Sequence, residues 1–104
     1  MIRASVYYNN GPETRFDHDY YENQHRELVL ARLGPMGLVR MEAERGLGGL
    51  GGAPAPFVGG GHLYFETMEA LQAALGAHLD EPVGDIPNFT NVEPVVQISE
   101  ISRE

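Results

Sequence analysis

Apolar and polar residues alternate over positions 2–8, with Ile2, Ala4, Val6 and Tyr8 on one side and Arg3, Ser5 and Tyr7 on the other. A period of two is that of a strand with one apolar face. Asn9-Asn10-Gly11-Pro12 is turn chemistry, after which Asp17 is placed to cap a helix running to Leu33 and stopped by Gly34-Pro35. At ~100° per residue, Tyr21, His25, Leu28, Val29 and Arg32 fall on one stripe, with His18 at its edge. Alternation returns over 38–45, where Val39, Met41 and Ala43 oppose Arg40, Glu42 and Glu44. Residues 46–56 are so rich in Gly, Ala and Pro that they predict a mobile connection without regular structure. A third strand is expected over 57–65; its Gly59-Gly60-Gly61 run indicates a bulge or a close backbone approach, and Leu63 and Phe65 oppose His62 and Tyr64. Thr67 caps a second helix whose Met68, Leu71, Ala74, Leu75 and Leu79 recur every three or four residues, with its end between 76 and 79. Pro82, Gly84 and Pro87 mark 80–91 as loop, and 94–101 gives the last strand, with Val96 and Ile98 opposite Val95, Gln97 and Ser99.

The order strand, helix, strand, strand, helix, strand predicts an α+β, ferredoxin-like βαββαβ domain with both helices on one face of a four-stranded antiparallel sheet. With 104 residues and 11.4 kDa, the whole span 1–104 forms one domain. The other sheet face is left without a cover. It carries Tyr7, Tyr64 and Val95 among Arg3, Arg40, Glu42, Glu44 and His62, a mixture that water tolerates but that also suits a second copy packing sheet on sheet. A homodimer through this face is the expectation.

Cys, Lys and Trp are absent. No thiolate nucleophile, disulfide, iron–sulfur cluster or Schiff-base lysine is available. A formal charge of −8 and a pI near 4.8 repel phosphate backbones and anionic membranes, so neither nucleic acid nor a membrane is an expected partner. No charged leader runs into a long apolar segment, and the apolar runs are far shorter than the ~20 residues a bilayer needs; a cytoplasmic protein is expected. Metal is not expected either, for want of any H-x-x-x-H motif or tight His–carboxylate cluster. Gly46-Leu47-Gly48-Gly49-Leu50-Gly51 satisfies G-x-G-x-x-G, but Pro54 and Pro56 follow where a phosphate-binding helix would begin. With three Ser and no G-x-S-x-G, a serine hydrolase is not expected.

Reactive chemistry therefore falls to His, Tyr and carboxylates. His25 lies on the helix stripe, directed between helix and sheet, where burial lowers an imidazole pKa and leaves a neutral base worth about 10² to 10⁴ in rate. The alternative is a core histidine satisfied by a neighbouring carbonyl or carboxylate. Tyr7, Tyr8, Tyr21 and Tyr64 offer rings for an aromatic substrate and hydroxyls for a developing oxyanion, or serve packing alone. His62 belongs to the open sheet face, and His18 and His78 are expected to be exposed.

Phe16-Asp17-His18-Asp19-Tyr20-Tyr21-Glu22-Asn23-Gln24-His25 resembles the opening of the first helix in the EthD family, named for a component of ethyl tert-butyl ether degradation clusters. Leu63-Tyr64-Phe65-Glu66-Thr67-Met68-Glu69-Ala70-Leu71 and Asp85-Ile86-Pro87-Asn88-Phe89-Thr90 resemble two further stretches of that family, so the likeness spans nearly the whole chain. Where many relatives carry Pro two residues after the helix histidine, this chain has His25-Arg26-Glu27. The resemblance implies a dimeric α/β barrel, two sheets packed face to face. It implies a small protein acting without a conventional cofactor on an aromatic or polyketide-like compound, as an isomerase, cyclase, decarboxylase or oxygenase. His25 and Asp85 are then the catalytic candidates, and Tyr8, Tyr21 and Asn88 the substrate-binding ones. Haem ligation by His25, as in some cousins, a non-enzymatic ligand-binding role and an EthD-type reductase are the alternatives; no nicotinamide or flavin fingerprint supports the last.

Overall fold

A computed structural model describes residues 1–104. Strand β1 spans Ile2–Asn9, helix α1 residues 18–33, β2 Arg40–Arg45, β3 Phe57–Phe65, α2 Met68–His78, a short α3 Asp80–Gly84, and β4 Pro94–Glu100. The sheet order is β2-β3-β1-β4, with every pair antiparallel, which is the ferredoxin-like arrangement expected from the element order. Ala4 pairs with Leu63 on one side and Ile98 on the other, and Ile2 pairs with Phe65. That register turns Ile2, Ala4, Met41, Leu63 and Phe65 toward the helices, where Val29 and Leu33 of α1 and Leu71 and Ala74 of α2 close the core. A second apolar cluster, of Tyr8, Tyr21 and Phe89, sits at the other end of the same layer. No helix is long and apolar enough to cross a membrane.

Helix α1 starts as expected: Asp17 is extended, and its carboxylate accepts the Tyr20 backbone N–H at 3.0 Å. It is not uniform, however. Tyr21–His25 forms a π turn, in which the Arg26 N–H reaches back to the Tyr21 carbonyl, and the α-helix resumes over Arg26–Leu33. The buried positions are Tyr21, His25, Val29 and Leu33, spaced by four, while Leu28 and Arg32 lie at the margin. A Gly34–Met36 turn with Gly37 at φ 100° ends the helix; only glycine adopts that left-handed geometry without strain.

Three expectations are corrected. Residues 80–91 are not plain loop: Asp80–Gly84 is helical, because Pro82 falls in a first turn where its missing N–H is tolerated, and Ile86–Asn88 adds a 3-10 turn. Residues 46–56 are not without structure: Leu50–Gly52 forms a 3-10 turn, and the Asn10 amide holds the Ala55 carbonyl at 3.0 Å. Val96 and Ile98 face the helix side as expected, each about half exposed on the edge strand β4. Val39, expected on the buried face, is exposed just before β2 begins.

On the open face, Ser5 and His62 are buried by their neighbours. The Ser5 hydroxyl meets His62 Nδ1 at 2.9 Å, His62 Nε2 meets Glu44, and the Tyr7 ring lies edge-on to His62. Nearby, the Tyr64 hydroxyl donates to Glu42 at 2.7 Å and the Arg40 guanidinium sits 3.9 Å above the Tyr64 ring.

Candidate functional site

The turn between α3 and β4 is tied to the start of α1 at several points. Asp17 N–H donates to the Phe89 carbonyl at 2.8 Å, and the Thr90 hydroxyl to the Arg15 carbonyl at 2.6 Å. On the far side, Arg32 forks onto Glu81 at 2.8 and 3.0 Å, setting α3 against α1. The pair is exposed and adds little to stability, but it helps fix where Asp85 emerges.

Asp85 Oδ2 lies 2.9 Å from His25 Nδ1, and both side chains are nearly buried. Its other oxygen accepts the Tyr20 hydroxyl at 2.7 Å and the Asn88 amide at 2.9 Å. Burial raises the carboxyl pKa, but the bonds from Asn88, Tyr20 and His25 outweigh it and hold Asp85 below its ordinary value. An ionised carboxylate only accepts, so Nδ1 of His25 carries the proton and Nε2 presents a lone pair. Burial lowers the His25 pKa, with the Asp85 hydrogen bond and charge opposing, so the ring is neutral near pH 7. Tyr21 stacks on it at 5.2 Å and 15°, and Phe89 packs against it at 4.6 Å.

His25 forms part of the wall of a half-open cavity of about 610 Å³, mouth included, between the sheet, α1, the end of α2 and α3. The lining is mostly aliphatic; its only polar side chains are Tyr8, Tyr21, His25 and His78, and it holds neither a carboxylate nor a guanidinium. Such a wall suits a neutral, largely apolar molecule, since a carboxylate or phosphate placed there loses its water without gaining a cation. No group of three or more His, Asp or Glu side chains is placed to share a metal ion.

Of the residues singled out from the sequence, His25, Tyr21 and Tyr8 line the cavity and Asp85 stands directly behind His25. Asn88 does not line it. It braces Asp85 and faces a shallow outer groove beside Arg15 and Pro87. Tyr7 and Tyr64 lie on the opposite face of the sheet. Two histidines expected to be exposed are not: His18 Nδ1 is sealed without a partner beside Phe16, and His78 is half-buried at the cavity wall. His78 follows Leu71 and Leu75 at spacings of seven and three, so its place on the buried face of α2 was readable. Tyr20, the second donor to Asp85, was missed because it falls off the apolar stripe.

Among solved structures, an EthD-like protein of Ralstonia eutropha is 39% identical over 99% of this chain and 93% of its own, with a TM-score of 0.90. An ethyl tert-butyl ether degradation (EthD) family protein of Bacillus halodurans shares 21% identity over 96% of this chain and 97% of its own, with a TM-score of 0.67. A dimeric ferredoxin-like protein from an uncultured marine organism has the same fold at 11% identity and a TM-score of 0.64, covering 100% of this chain and 97% of its own. No family model and no curated protein matches the chain. Identity of 39% over nearly the full length of both chains, together with the shared fold, shows that this chain belongs to the EthD-like family.

Proposed function

We propose that the protein is a cofactor-independent acid/base enzyme in which His25 removes a proton from a small, neutral, aromatic or polyketide-like molecule. The observation that carries this reading is the His25–Asp85 pair at 2.9 Å, with the opposite ring nitrogen free on the wall of an apolar cavity. Asp85 fixes the tautomer and stabilises the imidazolium formed when the proton arrives; Tyr20 and Asn88 fix Asp85. The rings of Tyr8 and Tyr21 in the cavity wall suit a planar ring.

The probe is nitrobenzisoxazole, a neutral aromatic whose ring C–H, once deprotonated, expels its own oxygen as a coloured cyanonitrophenolate. Wild-type protein is expected to catalyse this opening, and His25→Gln to lose about 10² to 10⁴ of the rate. Activity should persist to below pH 6.5 and fall only as His25 takes up its proton, because its pKa is lowered from 6.5. The same shift gives the fold a contribution to stability that is complete above pH 6.5 and is lost as pH falls through the folded value. An unchanged rate in His25→Gln, or a midpoint above 6.5, refutes the base assignment. Binding of the probe without turnover indicates a ligand-binding protein instead.

We also propose that two copies pack their open sheet faces together. Tyr7 stacked on Phe57, Val95 half exposed and the opposite charges of Arg40 and Glu42 give that face the aromatic and mixed-charge character of an interface. The marine neighbour is a dimeric protein of this fold. Light scattering at micromolar concentration should give near twice the 11.4 kDa chain mass; the single-chain mass would exclude the assembly.

A further inference from the structure

The hydroxyls of Tyr8 and Tyr21 stand out among the buried polar groups. Both side chains are at least 98% buried, at 1% and 2% exposure, and neither hydroxyl has a hydrogen-bond partner within the chain, whereas those of Tyr20 and Tyr64 are each bonded to a carboxylate. A phenol buried in this way normally finds a partner. Nor are the two oxygens sealed inside protein: the unpaired side-chain polar atoms with no accessible surface are Arg3 Nε and His18 Nδ1 alone. Both residues line the same cavity as His25.

The backbone is shaped to admit one of them. A Cβ on Gly61 would lie 2.5 Å from the Tyr21 hydroxyl, so that hydroxyl occupies the volume of a missing side chain on β3. Val6 is the Gly61 partner on β1, and Tyr8 follows two residues later on the same face. The two rings meet edge to face at 5.7 Å. Burial raises both phenol pKa values, which keeps the two groups protonated and able to donate.

Resting on the reading of His25 as a base, we infer that Tyr8 and Tyr21 form a two-donor oxyanion site and that the substrate is an uncharged carbonyl compound with an acidic C–H beside the carbonyl. In the reaction, the lone pair of His25 Nε2 takes the proton and the C–H bond breaks. Its electron pair forms a carbon–carbon double bond, and the carbonyl π pair moves onto oxygen. The enolate oxygen accepts hydrogen bonds from Tyr8 and Tyr21, while Asp85 balances the imidazolium. Return of the proton to carbon, at the same or a conjugated position, regenerates the ketone. No oxidant or reductant enters, and a cavity without a fixed cation needs such donors if an enolate is to form in it.

The test uses β-tetralone in deuterium oxide, with incorporation at the benzylic carbon beside the carbonyl followed by NMR. Wild-type protein is expected to exchange that position. Tyr8→Phe and Tyr21→Phe, which keep the rings, should each slow exchange about 10²-fold with KM changed less than about threefold, the pattern of a donor used in the transition state. Gly61→Ala, which displaces the Tyr21 hydroxyl, should reproduce the Tyr21→Phe loss, and circular dichroism shows whether each variant is folded. Exchange at the wild-type rate in both tyrosine variants overturns the oxyanion site. A wild-type protein that opens nitrobenzisoxazole through His25 but leaves β-tetralone unexchanged overturns the carbonyl substrate while the base reading stands. Exchange that survives in His25→Gln overturns the base reading on which the inference rests.

Discussion

Asp85→Asn should lower His25-dependent opening of nitrobenzisoxazole by about 10²- to 10⁴-fold, nearly as much as loss of His25 itself, while leaving the fold in place, as when the carboxylate behind a catalytic histidine becomes an amide. The reason is directional. One Asp85 oxygen already accepts from the Tyr20 hydroxyl and the Asn88 amide. An asparagine at 85 must keep its carbonyl oxygen toward those two donors, which turns its NH₂ toward His25. That NH₂ donates to Nδ1, so the imidazole proton moves to Nε2 and the lone pair facing the cavity is gone. Asp85→Ala has a different signature: it removes the acceptor altogether and leaves Tyr20, Asn88 and His25 without a partner, so stability falls along with rate. The imidazole nitrogen shifts in an NMR spectrum report the tautomer directly. A rate within tenfold of wild type in Asp85→Asn, with Nε2 still unprotonated, rules out Asp85 as the positioning residue.

Phe65→Ala should destabilise the domain by about 3–5 kcal/mol. Phe65 has no exposed surface and lies at the end of β3, paired with Ile2 in the core closed by Leu33, Leu71 and Ala74. Removing the ring leaves a cavity walled by two helices and a sheet, none of which can collapse independently. A domain of this length has a total stability of only about 5–15 kcal/mol, so the loss is a large share of the whole. The melting temperature followed by circular dichroism should fall by about 12–40 °C, at about 4–8 °C per kcal/mol. A fall of under about 4 °C would show that the core is not continuous there.

The sheet was legible because period two is hard to imitate: Ile2, Ala4 and Phe65 occupy the faces their alternation assigns. Edge strands were less so. Val96 and Ile98 alternate correctly, but alternation says nothing about how closely a helix packs over them, and here both stay about half exposed. In the site, Tyr21 and His25 followed from the stripe, whereas Asp85 came from the family likeness. Nothing in the spacing of residues 25 and 85 reveals that Asp17 binds Phe89 and so folds the second motif onto the first. The π turn was invisible because a wheel at ~100° per residue assumes the helix it is meant to test. His78 was overlooked for a simpler reason: a terminal residue of a helix reads as solvated unless its spacing from Leu71 and Leu75 is counted.

The π turn also determines how the chain tolerates a change in length. Each residue in a regular helix rotates the chain by ~100°, so a one-residue deletion among exposed Asn23 and Gln24 that converts Tyr21–His25 to ordinary helix preserves the helix itself. What it loses is phase: Asp17, Tyr20 and Tyr21 rotate relative to His25. Tyr20 leaves Asp85, Tyr21 leaves the notch over Gly61, and the stacking on His25 is undone. The extra residue in this turn thus acts as a spacer that brings two motifs into alignment. A homologue lacking it is expected to keep the fold and to have built its pocket from different side chains.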